Sequence, residues 1–320
     1  MYLVTGGCGF IGSNIAMALA GQGADVVICD RLRSGEKWRN LVKGRLYDLI
    51  LPETLDYWMR DHARDVAAIV HMGAVSSTTE SDVDKIVRNN IRLSLRLWHF
   101  AGQYGMPLIY ASSAATYGDG AAGFSDDESP EALGRLVPLN AYGWSKHVID
   151  RRFVADAQAG RLRPPQWAGL KFFNVYGPNE AHKGDMRSVV HKIYPKIAAG
   201  EEIELFKSHD PRYQDGGQLR DFIYVKDCVR IVVWLLQHPE ISGLFNVGTG
   251  RARSFRDLAL AVGLAVGREP RIRYVDMPPA IRERYQYFTE ADMTKLAASG
   301  LTLSLTSLER GVSEYIGALI

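Results

Sequence analysis

The chain has 320 residues, 47% apolar and 23% charged, which is room for one large α/β domain and a smaller second one. Its formal net charge of +2 excludes the broad basic footprint of a nucleic-acid-binding protein. No apolar run approaches the ~20 residues of a membrane span. Three scattered cysteines, Cys8, Cys29 and Cys228, exclude a disulfide framework and a zinc or other metal site, and read as buried free thiols.

The first apolar run, Tyr2-Leu3-Val4-Thr5, reads as a strand that begins at once, leaving no room for a signal peptide, so a cytoplasmic protein is expected. Further strands are predicted at residues 25–30, 67–72, 107–111 and 167–173, with helices between them at 10–21, 52–61, 82–103 and 141–159. Strand and helix in alternation predict a doubly wound parallel sheet, an α/β Rossmann fold. After about Asn174 the loops lengthen and the elements shorten, with helices still predicted at 186–199, 225–236 and 254–263. The expected division is a dinucleotide-binding domain over 1–174, rejoined by the chain near 221–250, and a mainly substrate-binding domain over 175–320.

Thr5-Gly6-Gly7-Cys8-Gly9-Phe10-Ile11-Gly12 links the first strand to the first helix. Gly6 allows the tight turn, Gly9 admits a pyrophosphate to the backbone, and Gly12 lets helix pack on strand. The phosphates then meet the free N–H groups of a helix N-terminus. The second strand ends in Asp30, placed to accept hydrogen bonds from an adenosine ribose. Alone it favours NAD, but Arg31, Arg33 and Lys37 follow, and cations there hold a 2′-phosphate. NADP is the expected cofactor, with NAD left open. Met72-Gly73-Ala74-Val75-Ser76 puts small residues at a strand's carboxyl end, where a cofactor lies against backbone. Asn89 has two open readings: fixing a backbone carbonyl near the nicotinamide, or a solvated polar residue.

Tyr142 and Lys146 are four apart, hence on one helix face. A lysine cation lowers a nearby phenol from ~10 toward neutrality, making it a general base, and the same lysine can hold the nicotinamide ribose. The pair alone reads equally as surface packing. Ser112-Ser113 at the end of the strand before it supplies hydroxyls for the reacting oxygen.

Together, Thr-Gly-Gly-x-Gly-Phe-Ile-Gly at 5–12, Ser-Ser-Ala-Ala-Thr-Tyr-Gly at 112–118 and Tyr-Gly-x-Ser-Lys at 142–146 resemble the extended short-chain dehydrogenase/reductase superfamily of nucleotide-sugar enzymes. Ser76-Ser77-Thr78-Thr79-Glu80, Asn174-Val175-Tyr176-Gly177-Pro178, His182-Lys183-Gly184-Asp185-Met186 and Arg284-Tyr285-Gln286 are similar to its ADP-heptose 6-epimerase family, which makes the heptose precursor of lipopolysaccharide. The resemblance implies that Phe10, Ile11, Asp30, Arg31, Lys37, Met72, Gly73, Ala74, Val75, Ser76, Asn89, Lys146, Val175 and Lys183 touch the dinucleotide. It implies that Ser113 binds the reacting oxygen and that Tyr142 and Lys183 are two acid/base groups. By the residues alone, Lys183 also reads as a phosphate-binding or surface lysine. The resemblance places Asn174, Asp185, Lys192, Phe206, Lys207, Ser208, His209, Arg220 and Tyr285 around an ADP-heptose. It also implies a homo-oligomer, a pentamer being one form.

The chain departs from that family at Asp185, where serine is usual, at Lys192, where histidine is found, and at Pro52, which stands in place of a cofactor lysine. The stretch 208–219 is longer. A 4,6-dehydratase is disfavoured because Ala115-Thr116 occupies the place of its Asp-Glu pair. A UDP-sugar 4-epimerase is the nearer alternative, and a non-catalytic dinucleotide sensor the remote one, since both Tyr142 and Lys146 are kept.

Overall fold

The computed structural model describes residues 1–282 and 285–319. Its strands are β1 (Tyr2–Thr5), β2 (Val26–Cys29), β3 (Asp48–Ile50), β4 (Ala68–His71), β5 (Leu108–Ser113), β6 (Trp167–Phe172), β7 (Asn174–Tyr176), β8 (Glu202–Phe206), β9 (Leu219–Tyr224), β10 (Gly243–Val247), β11 (Ala252–Ser254) and β12 (Arg271–Val275). Seven of them form one sheet in the order β10-β6-β5-β4-β1-β2-β3. Every pairing in it is parallel.

Strands buried on both faces read as unbroken apolar runs, which is why Val26–Cys29 and Ala68–His71 are wholly buried. Alternation still sorts their side chains. Leu3, Val27, Ile69 and Leu108 pack under the helices Leu55–His62, Leu93–Tyr104 and Ala141–Gln158. Val4, Ile28, Val70 and Ile109 pack under Phe10–Gly21 and Val225–Gln237. The doubly wound fold is thereby present as the periodicity predicts.

Several elements were not anticipated, among them β3, the helix Leu308–Gly317 and the strands β7, β8, β9, β11 and β12. β3 is three residues at the sheet edge, too short to carry a period. The helix Leu308–Gly317 packs on the helix Phe255–Val266 and on β9. A smaller three-stranded sheet, β11-β9-β7, and a parallel pair, β12-β8, lie beyond the main sheet. The chain re-enters the large sheet at β10, which pairs with β6, and then leaves it again for β11 and β12.

The topological switch lies between β1 and β4, whose carboxyl ends part there. A buried network ties them together. Thr5 Oγ1 accepts Gly73 N at 3.2 Å and lies 2.6 Å from His71 Nδ1. His71 Nε2 is 2.9 Å from Ser94 Oγ, which donates to Asn90 O. That order assigns a neutral His71 carrying its proton on Nε2. Burial pushes His71 down to about 3, with Lys146 adding to the shift. The unfolded chain therefore takes up a proton below about 6.5 that the fold refuses until about 3. Stability is expected to fall by up to several kcal/mol across that window. His71→Gln is expected to flatten the loss in urea unfolding at successive pH values; an unchanged slope would assign it elsewhere.

Candidate active site

The carboxyl ends of β1, β4, β5 and β6 line a cleft of about 1460 Å³. The glycine loop forms its floor. Gly6 has φ +65°, and a Cβ there would lie 2.6 Å from Gly73 Cα. A Cβ on Gly12 would lie 2.2 Å from Gly6 O. Helix Phe10–Gly21 starts at Gly9 with no side-chain cap, so its first N–H groups face the cleft. Gly6, Gly9, Phe10, Ile11 and Gly12 all line it.

At the end of the cleft expected to take an adenosine, Asp30 is already engaged. It accepts Cys8 N at 2.9 Å, Arg31 N at 2.7 Å and Lys37 Nζ at 2.6 Å. The Arg31 guanidinium is held by Glu53 and Asn89. Glu53 carried no signal in the sequence; β3 brings it beside Arg31.

Met72, Gly73, Ala74, Val75 and Ser76 follow β4 along the cleft wall, opposite Val175. The residue that fixes this backbone is Asn90. Its amide donates to Val75 O at 3.0 Å and Ser145 Oγ at 3.0 Å, and its oxygen accepts Val75 N at 2.8 Å. Asn89 lines the cleft but spends its side chain on Lys85 O and Arg31. The helix around them is π-helical from Val87 to Arg92, with Asn90 buried and Asn89 half-buried.

Asn140 caps helix Ala141–Gln158 by accepting Gly143 N at 2.8 Å, which fixes Tyr142 and Lys146 over the strand ends. Ser113, Tyr142 and Lys146 all line the cleft. The expected effect of Lys146 on the phenol is not what the structure has. Lys146 Nζ donates to Ala111 O at 2.6 Å. Burial raises Tyr142 above its ordinary value, opposed by a hydrogen bond with Ser113, with Asp150 adding to the rise. Burial also pulls Lys146 down to about 8, with Asp150 opposing. Desolvation thus outweighs any stabilisation of phenolate by Lys146.

Beneath them lies a fully buried pair, Lys171 Nζ to Asp150 Oδ2 at 2.9 Å. Asp150 also accepts Ser112 Oγ at 2.7 Å and Tyr110 OH at 3.0 Å, joining the β5 end to the tyrosine helix. Four residues past Lys146, Asp150 was findable from helix spacing; its partner on β6 was not.

Lys183 enters the cleft from the turn Ala181–Met186, with Nζ 5.3 Å from the Phe10 ring centre. Burial lowers its pKa, and Glu180 opposes. Glu180 is itself buried and accepts Ser188 Oγ at 2.6 Å, so it anchors the turn against the helix Val189–Ala199.

On the substrate side the expectations divide. Asn174, Arg220 and Tyr285 line the cleft, the Arg220 guanidinium 5.2 Å from the Tyr285 ring centre. Asp185 and Lys192 do not; both are exposed, with Lys192 Nζ on Asp185 O at 2.6 Å. Phe206, Lys207, Ser208 and His209 also stand outside the lining. Phe206 backs Tyr285 edge-on at 6.3 Å. The following loop is held by Ser208 N on Asp215 at 2.8 Å and by His209 N on Tyr287 OH at 3.0 Å. Arg284 lies outside the described residues.

A family model described as the NAD dependent epimerase/dehydratase family matches residues 2–248. The chain belongs to the NAD dependent epimerase/dehydratase family. This epimerase/dehydratase is 50% identical over 319 residues to the ADP-L-glycero-D-manno-heptose-6-epimerase of Nitratidesulfovibrio vulgaris strain DP4, covering 99% of this chain and 97% of the relative. It is similar to the solved ADP-L-glycero-D-manno-heptose-6-epimerase of Helicobacter pylori, with TM-score 0.80, 29% identity, and 99% and 95% of the two chains covered. It is also similar to the UDP-glucose 4-epimerase of Thermus thermophilus in complex with NAD, with TM-score 0.74, 25% identity, and 99% and 97% covered. As a member of this epimerase/dehydratase family the chain is an isomerase of nucleotide sugars, and its cofactor is a nicotinamide dinucleotide. The uncapped helix start and the cradle that a Cβ would fill fit that cofactor.

Proposed function

We infer that the chain inverts C6 of the heptose in ADP-D-glycero-D-manno-heptose, giving ADP-L-glycero-D-manno-heptose. The observation that carries this reading is that Tyr142 and Lys183 open on one cleft from different elements. A nicotinamide held along the glycine loop and Lys146 would supply the redox chemistry, a hydride acceptor and donor for the substrate carbon on either face. The carbonyl oxygen must then point two ways in one turnover, and one proton carrier serves each direction. Tyr142 with Ser113 holds and moves the proton in one orientation, and Lys183 does so in the other. Burial lowers Lys183 toward the range where it can give and take a proton. A one-tyrosine 4-epimerase has no use for that second group.

Gly6, Gly9, Gly12 and the backbone of 72–76 hold the dinucleotide, with Lys146 at the nicotinamide ribose. Arg31 and Lys37 beside Asp30 support NADP as its form, with NAD admitted. Asn174, Arg220 and Tyr285 are placed to take the nucleotide sugar. We extend the reading to a homo-oligomer that works in the cytoplasm and feeds lipopolysaccharide heptose synthesis; three buried free thiols support a reducing compartment. Incubation of the purified protein with ADP-D-glycero-D-manno-heptose, followed by proton NMR, is expected to show the 6-epimer accumulating without added cofactor. No epimer with substrate in excess would overturn the assignment.

A further inference from the structure

Two of the cations that favour a 2′-phosphate, Arg31 and Lys37, are partly engaged by the chain's own acceptors. Arg31 Nε donates to Glu53 Oε1 at 2.7 Å, and Nη2 reaches the same oxygen at 2.7 Å. Its Nη1 donates to Asn89 Oδ1 at 3.2 Å, and Asn89 is held in that sense because its amide donates to Lys85 O at 2.7 Å. Three of the five guanidinium N–H donors are therefore committed to the chain's own acceptors. Lys37 Nζ is bound to Asp30 Oδ1 at 2.6 Å and Arg31 O at 3.2 Å. Two carboxylates thus balance two cations at the mouth of the adenosine end. Arg33, exposed on the cleft rim, is without an ion-pair partner among the described residues. Pro52, which lines the cleft beside Glu53, adds no charge.

We propose that Glu53 is a specificity-determining residue: by holding Arg31, it lowers the chain's preference for NADP over NAD to less than about tenfold. The proposal rests on the reading of this cleft as a dinucleotide site. A 2′-phosphate at Arg31 finds only the two remaining N–H donors unless it displaces Glu53, and in either case it lies near that carboxylate. The 2′-hydroxyl of NAD needs neither. Arg33 leaves enough positive charge for NADP to be accepted. Glu53 is 57% exposed, so its field is screened, and a several-fold effect is the scale that an exposed pair can set.

The test is calorimetric titration of nucleotide-stripped wild type, Glu53→Gln and Glu53→Lys with NADP⁺ and with NAD⁺. Glu53→Gln is expected to tighten NADP⁺ about three- to tenfold and to move NAD⁺ less than about twofold. Glu53→Lys is expected to tighten NADP⁺ further, and both gains are expected to shrink in high salt. A ratio of the two dissociation constants equal in wild type and both variants would overturn the role of Glu53 alone. Wild type that binds neither nucleotide would overturn the dinucleotide reading together with it.

Discussion

Tyr142→Phe is expected to lower epimerisation by about 10²–10⁴-fold while dinucleotide binding changes less than about twofold. The substitution removes one hydroxyl and keeps the ring that packs between the capped helix and the β5 end. The phenol has a raised pKa because burial disfavours phenolate more than the Ser113 hydrogen bond favours it. A group whose pKa is raised gives up its proton later, so the limb that needs phenolate is expected to climb on the alkaline side of neutrality. Tyr142→Phe should abolish that limb. Full turnover in Tyr142→Phe would refute the assignment, and a loss of NADP binding with the activity would make Tyr142 a cofactor contact instead.

Lys183→Met is expected to cost a similar factor, about 10²–10⁴ in kcat, again with the dinucleotide retained. Methionine keeps the apolar stem over the Phe10 ring and deletes only the amine. Burial lowers Lys183, so its limb should fall below the range of a free lysine, near ~10.4. The two variants differ in an informative way. If each proton carrier serves one orientation of the carbonyl, each variant can still perform one half of the exchange. Single-turnover spectra at the nicotinamide absorbance should then show partial reduction in one variant or the other, depending on the epimer supplied. Wild-type rates in Lys183→Met would leave a one-base mechanism with Tyr142.

The parallel sheet, the glycine loop and the Tyr142–Lys146 helix were legible in the chain because each is local. Val26–Cys29 and Ala68–His71 are apolar throughout because both faces are covered. The glycines 6, 9 and 12 stand where backbone must approach backbone, and Tyr142 and Lys146 share a face by helix geometry alone. The order of strand, glycine loop, strand-end serine and Tyr-x-x-x-Lys also implied the chemistry, since each feature is written in a few consecutive residues.

Three things were decided by folding. Asn90, rather than Asn89, is the clamp on Val75 and Ser145; which of two adjacent asparagines meets a partner 15 or 55 residues away is set by the packing of the helix, not by the pair itself. Desolvation set the protonation of the site, raising Tyr142 and lowering Lys146 to about 8, and burial depth is a property of the packed domain. Partners distant in the chain came together: Glu53 with Arg31, Lys171 with Asp150, and the turn bearing Lys183 with Phe10. Spacing within a segment can tell which side chains share a face. Which charges neutralise one another across segments depends on the strand order and on the loops that the sheet brings side by side.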